Sequence, residues 1–150
     1  MSRSKAYVYR HLVCYGDTNA VGNVYYASYL AWQGRVRELF LQEHVPEMCA
    51  ALNSRRLALA TLSASCRYFH ELFPFDQVQI ELRLGVIAGT SMTLLFDYRK
   101  ITDEAPLLVA TGKQRIRCLE RNDPKPPTPI EIPPYFVAAL HSYARDTARE

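Results

Sequence analysis

The chain has 150 residues, 49% of them apolar and 22% charged, with a formal net charge of +3 at pH 7. That length gives one ordinary domain, able to bury roughly two-thirds of its unfolded surface, and that composition excludes a disordered chain. The mild, dispersed positive charge, without a Lys/Arg block interleaved with aromatics, argues against nucleic acid as a ligand.

Residues 1–13 carry scattered charge and no apolar core of signal-peptide length, and no stretch approaches ~20 uncharged apolar residues, so a cytoplasmic protein without membrane contact is expected. Within Lys5 to Val13 the residues Tyr7, Val8, Tyr9, Leu12 and Val13 predict a first strand, which ends in a turn-like Gly16-Asp17-Thr18-Asn19. From about Gly22 to His44 the apolar positions Tyr25, Tyr26, Tyr29, Leu30, Trp32, Val36, Leu39 and Phe40 recur at three and four, the period of a helix. Its apolar surface runs nearly all round, so a sheet is expected to enclose most of it.

A shorter segment around Glu47 to Arg55 leads into three long strand candidates, Leu57 to Leu72, Asp76 to Ile87 and Thr90 to Thr102. Val78, Ile80, Leu82, Leu84 and Val86 alternate with polar or small partners, the period of two that marks a sheet with one buried face. Leu107 to Glu120 is a further strand, and Gly85-Val86, Ala88-Gly89 and Asp103-Glu104 near the bends make the strands antiparallel neighbours. Residues 122–134 hold six of the nine prolines and should run extended without regular structure, before a short helix from Tyr135 to about Thr147.

The chemical motifs that are missing narrow the function. No G-x-S-x-G elbow, G-x-G-x-x-G fingerprint or phosphate-binding loop occurs. Cys14, Cys49, Cys66 and Cys118 are widely spaced with no His at ligand distance, so neither a metal nor a redox dithiol is indicated. His11, His44, His70 and His141 each stand apart and read as surface or packing residues. Arg55-Arg56, and the group Arg115, Arg117, Arg121 and Lys125, fit either a solvated face or a surface for an acidic partner.

One run does point to a chemistry. Tyr15, Asp17, Thr18, Gly22, Val24, Tyr25, Tyr29, Trp32 and Arg37 fit the pattern Y-x-D-T-D-x-x-G-x-V-Y-x-x-x-Y-x-x-W-x-E-x-x-R. On these residues, and on the order strand, long helix, meander, the chain resembles the hotdog-fold thioesterases of the 4-hydroxybenzoyl-CoA thioesterase type. The resemblance implies an α+β hotdog fold, a curved antiparallel sheet wrapped around one long central helix. It implies one domain over residues 1–150, no cofactor, and a homo-oligomer, a dimer of dimers with sites between subunits.

Two departures matter. In the family the second Asp of D-T-D, or in a related branch a helical carboxylate, acts on the thioester; here those positions hold Asn19 and Gly34. An amide is no base at neutral pH, but its NH2 can donate to a carbonyl oxygen or hold a water. The chain most resembles the thioesterases that accompany iterative polyketide synthases of enediyne biosynthesis, of the calicheamicin and dynemicin kind, in which an Asn and an Arg replace the carboxylate. That resemblance makes Asn19 and Arg37 the catalytic residues. It implies a β-ketoacyl polyene thioester as substrate, released from the acyl carrier domain of the synthase and then decarboxylated.

The residues themselves are compatible with this. At about 100° per residue Arg37 shares a helical stripe with Gln33 and Tyr26. If the helix begins at Gly22, the N–H groups of Asn23, Val24 and Tyr25 are free at its positive end and suit an oxyanion, with Tyr29 adding a hydrogen bond. Tyr25, Tyr26, Gln33 and Gly34 then line a substrate channel, and Trp32, Tyr68, Phe69, Phe73 and Phe75 supply further flat apolar surface. Gly34 costs about 1 kcal/mol inside a helix, so either another backbone or an acyl chain passes there.

Each choice has a plain rival. Asn19 also reads as a turn residue, Arg37 as a surface charge, and Asp17 as a loop-fixing acceptor or the remaining carboxylate base. At the level of function the rivals are a general acyl-CoA thioesterase and a non-catalytic acyl-binding protein.

Overall fold

The computed structural model of the chain describes residues 5–143. In order these form β1 (Tyr7–Leu12), a 3-10 turn (Tyr15–Asp17), α1 (Tyr26–His44), α2 (Pro46–Asn53), β2 (Leu57–Tyr68), β3 (Gln77–Ala88), β4 (Ser91–Lys100), β5 (Leu107–Glu120), β6 (Thr128–Pro129) and α3 (Pro134–His141). The expected continuation of the last helix to Thr147 lies outside the described residues.

The strands pair antiparallel in the order β1-β3-β4-β5-β2, with β6 added to β5, so β2 forms one free edge of the sheet. Alternation decides which side of the sheet is covered. Val78, Ile80, Leu82 and Leu84 of β3 and Met92, Leu94, Phe96 and Tyr98 of β4 are buried and face α1, which presents Tyr29, Trp32, Val36 and Phe40. Each such aliphatic side chain contributes roughly 1.5–3 kcal/mol on burial, so these inner rows bind the sheet to the helix. Register shifts between Leu84 and Ile87, Thr61 and Ser63, and Tyr98 and Arg99 bend the strands, and the sheet curls around α1.

Three expectations are corrected. The central helix starts at Tyr26, because Val24 is drawn into a bridge with Thr18 and its N–H donates to Leu72 O at 2.8 Å. The sheet covers only one side of α1, and Tyr26, Ala31, Arg35 and Glu38 remain exposed. Within the proline-rich segment Thr128 and Pro129 do pair regularly, with Glu120 and Leu119 of β5. Among the described residues no helix is long and apolar enough to cross a membrane.

Candidate active site

The run that entered from the sequence forms a small hairpin between β1 and α1, and Asp17 is its hub. Its carboxylate Oδ2 accepts the Cys14 N–H at 3.0 Å and lies 2.9 Å from His11 Nε2. Its carbonyl accepts the Tyr25 N–H at 2.9 Å and the Ser28 hydroxyl at 3.1 Å, tying strand, loop and helix start to one residue. Burial alone would raise its carboxyl, but the Cys14 N–H, the His11 ring and the Trp32 side chain outweigh that and hold it below the ordinary carboxylate range. His11 in turn lies against Trp32, with ring centroids 4.8 Å apart. The expectation that His11 stands alone is therefore corrected: it pairs with a residue of the motif itself.

Asn19 begins the turn at the hairpin tip. Gly22 N–H donates to Asn19 O at 3.0 Å, and Val21 N–H donates to Asn19 Oδ1 at 2.9 Å, which fixes the amide orientation. The turn closes through Gly22 at φ +94°, a left-handed conformation that glycine adopts without strain. The Asn19 NH2 has no partner among the described residues, and the side chain is exposed. The turn reading of Asn19 thus holds through its side-chain oxygen, and its NH2 points to no acceptor of the hairpin.

The expected oxyanion donors move by one step along the chain. Of the three expected N–H donors, those of Val24 and Tyr25 are committed to Leu72 O and Asp17 O, as that of Gly22 is to Asn19 O, while the Asn23 N–H has no backbone acceptor among the described residues. Because α1 starts at Tyr26, the open amides at its positive end are those of Tyr26 and Ala27, while Ser28 N–H returns to Tyr25 O. Asn23 is tied by its NH2 to Glu71 at 3.1 Å, and its buried Oδ1 has no partner among the described residues. Tyr29 is 3% exposed, packed against Trp32, Tyr68 and Tyr98, and its hydroxyl has no hydrogen-bond partner among the described residues.

Further along α1 the predicted stripe faces β2 and β5 and is polar where the core would otherwise be apolar. Gln33 is fully buried, and its Nε2 donates to Ser65 O at 3.0 Å, leaving Oε1 without a partner. Arg37 Nη1 donates to Gln114 Oε1 at 2.8 Å and reaches Thr61 Oγ1 at 3.4 Å, while its buried Nε is unpaired. Burial pulls the Arg37 guanidinium below its ordinary value, against a smaller opposing effect of Glu38. Gly112 of β5 admits this cluster, because a Cβ there would collide with the Gln33 amide. Two phenols fasten the first turns of the helix to the sheet: Tyr68 donates to Tyr26 O and Tyr98 to Tyr29 O, each at 2.8 Å.

The predicted residues thus fall into two groups. Asn19, Gly22, Asn23, Val24, Tyr25 and Tyr26 lie at the hairpin and helix start, where Tyr25 and Tyr26 stack at 4.6 Å on an exposed rim. Gln33 and Arg37 face the sheet, and Gly34, about 60° around the helix from Arg37, is half-buried with nothing within 4 Å of where its Cβ would stand. No contact joins Asn19 to Arg37 within the protomer, and Arg37 lies about 16 Å along the helix axis from Tyr26. Sequence reasoning missed His11, Gln114, Gly112 and the two fastening phenols. Only the polar Gln114 at an inward strand position carried a signal.

Burial raises the Cys66 thiol to about 11, which leaves a quiet group near the aromatic cluster and no nucleophile. Among the described residues no three His, Cys, Asp or Glu side chains converge to hold a metal.

A family model described as the thioesterase-like superfamily matches residues 13–140. The acyl-CoA thioester hydrolase YbgC of Escherichia coli O6:H1 is 31% identical over 126 residues, covering 84% of this chain and 89% of that protein. A crystal structure of the dynemicin thioesterase, which revealed induced-fit and allosteric effects upon polyene binding, is 38% identical and superposes with a TM-score of 0.88. It covers 95% of this chain and 100% of that one. A 4-hydroxybenzoyl-CoA thioesterase mutant bound to 4-hydroxybenzoyl-CoA shares the fold at 18% identity and a TM-score of 0.79, over 90% of this chain and 98% of that one. The curled sheet around one central helix is thus the hotdog fold.

Proposed function

Since the chain belongs to the thioesterase-like superfamily and is a thioester hydrolase of the hotdog fold, we propose that its substrate is a β-ketoacyl polyene thioester. In this reading the chain arrives on the acyl carrier domain of an iterative enediyne polyketide synthase, is hydrolysed to the β-keto acid, and loses CO2. The observation that carries it is the 38% identity, over 95% of the chain, to a thioesterase whose described ligand is a polyene.

Water attacks the thioester carbonyl. The Asn19 NH2 and the open Tyr26 and Ala27 amides stabilise the oxyanion, each such donor being worth about 3 kcal/mol in the transition state. A proton passes to the departing thiolate, giving free acid and thiol. Arg37, which stays a cation and lies too far from Asn19 of its own chain to share its substrate, anchors the β-keto oxygen from a neighbouring copy and favours the enolate that forms as CO2 leaves. Asp17 is the carboxylate of the hairpin, and its Oδ2 is engaged by Cys14 and His11, which gives it a loop-fixing role in this reading. The sites lie between copies in a dimer of dimers. Two open surfaces support that assembly, the β2 edge and the Gly34 side of α1.

The test is thiol release from a β-ketoacyl thioester and from the saturated thioester of equal length. Strong preference for the first, suppressed by Asn19→Ala and by Arg37→Ala, is the expected result. A second reading, hydrolysis of ordinary acyl-CoA, is favoured by the 31% identity to YbgC and predicts equal turnover of both substrates. No release by the wild type would leave an acyl-binding protein.

A further inference from the structure

The outer face of the sheet carries its charges in two unlike halves. Across β3 and β4, Glu81 is 5% exposed and lies 3.4 Å from Arg83 and 3.1 Å from Arg99, and Asp97 lies 3.4 Å from each of those arginines. Cations and acids are matched there. On β5 they are not.

Lys113, Arg115 and Arg117 occupy alternate positions of β5, while Gly112, Gln114, Ile116 and Cys118 between and beside them turn inward. Their Cα atoms follow at about 6.8 Å, so the row extends about 14 Å. Their cross-strand neighbours are Ser65, Ser63 and Ala60 on β2 and Leu95, Thr93 and Ser91 on β4, none of them acidic. Arg67, opposite Thr111 on β2, adds a fourth cation diagonal to Lys113, and Asp97, opposite Thr111 on β4, is an acidic diagonal neighbour already engaged by Arg83 and Arg99. Among the described residues none of the four has an acidic partner, and the buried Nε of Arg117 has no acceptor. Four adjacent like charges repel one another, and that arrangement is relieved by an anionic surface.

The row also leads to the site. Arg67 directly precedes Tyr68, whose hydroxyl bonds Tyr26 O at the start of α1, beside the hairpin that carries Asn19. Arg67 and Tyr68 point to opposite faces of β2, so a partner seated on the row lies across the end of that strand from the exposed Tyr25–Tyr26 rim.

We propose that this basic face of β5, with Arg67, is the docking surface for the acidic carrier domain that delivers the acyl chain on its phosphopantetheine arm. The inference rests on the carrier-bound substrate of the preceding reading and names the surface that selects it. It assigns the face to steering and to carrier selection, with no part in the chemical step.

The experiment compares the wild type with Lys113→Glu/Arg115→Glu, both exposed positions. Binding of the holo carrier domain is measured by anisotropy, and kcat/KM is measured on carrier-bound, CoA-bound and N-acetylcysteamine-bound forms of one acyl chain. Carrier binding and carrier-bound kcat/KM should fall by about tenfold or more. Turnover of the uncharged N-acetylcysteamine thioester should stay unchanged, and rising ionic strength should weaken only the wild type. A loss confined to the CoA substrate would reassign the row to the CoA phosphates, and no loss on any arm would make it a solvated face; either overturns the proposal. If the wild type hydrolyses none of the three, the thioesterase reading on this chain fails, while the binding measurement still decides the docking surface.

Discussion

Replacing Gly112 by Ala puts a methyl group where the Gln33 amide now stands, since the new Cβ would overlap Gln33 Nε2 and lie 3.2 Å from Ser65 O. Overpacking of this kind costs about 1–3 kcal/mol. Displacing Gln33 also breaks its bond to Ser65 O, worth about 1 kcal/mol, and leaves a buried amide unpaired. The sum is about 3 kcal/mol, or a loss of roughly 6–12 °C in Tm for a domain of this size. Removing the obstacle first should abolish most of this. In a Gln33→Ala background Gly112→Ala should cost less than about 1 kcal/mol, because only the Ser65 carbonyl remains close. Urea unfolding, followed by the fluorescence of the single tryptophan, Trp32, at fixed protein concentration, gives all four corners of the cycle. A coupling of about 2 kcal/mol is expected, and costs that add within about 0.5 kcal/mol would refute the argument that Gly112 exists to admit Gln33.

Asp17 is held below its ordinary pKa, so its contribution to stability is complete above about pH 4, the unfolded value, and is lost as pH falls through the folded value. Asp17→Asn should therefore cost about 2 kcal/mol at pH 7, with the difference from wild type closing in acid; a gap that widened toward low pH would contradict this. Gly22→Ala should cost about 1–2 kcal/mol through its positive φ alone, since nothing lies within 4 Å of the added Cβ. Gly34→Ala should do the opposite, raising protomer stability by up to about 1 kcal/mol while lowering turnover, a split readable by pairing unfolding with thiol release. Arg37→Met removes a half-buried cation with an unpaired Nε but orphans the buried Gln114 Oε1, so stability should fall by about 1–3 kcal/mol while β-ketoacyl turnover is lost; a fall in stability with turnover unchanged would show a structural charge instead.

What the sequence revealed and what it hid follow one rule. The strands were legible because alternation is local: Val78, Ile80, Leu82 and Leu84 state their buried face within seven residues, whereas Val86, read on the same face, is exposed past the register shift that follows Leu84. The break in structure at Gly16-Asp17-Thr18-Asn19 was legible for the same reason, whereas Gly22, read as the helix start, closes a turn at φ +94°. The start of α1 was not, because Val24 leaves the helix for a hydrogen bond to Leu72, a residue whose proximity only the folded chain creates. His11 looked isolated because its partner stands across a strand end, and Gln114 meets Arg37 from 77 residues away. For the candidate site, the family run named the hairpin and the helix start. It did not indicate that the donors at the helix end belong to Tyr26 and Ala27.

The two phenols under the first turns of α1 bear on how precisely that end is placed. Apolar side chains packed on a curled sheet tolerate small sliding and rotation, since one methyl contact replaces another at little cost. Tyr68 and Tyr98 tolerate neither, as each points a hydroxyl at a particular carbonyl, three residues apart on the helix. Advancing α1 by one residue means about 1.5 Å of travel and 100° of rotation, which would break both bonds. Burial raises both phenols, Tyr68 to about 12, so both hydroxyls stay protonated donors at neutral pH. The sheet thereby acts as a gauge block for the helix end, and its unpaired amides stand in place before any acyl chain arrives.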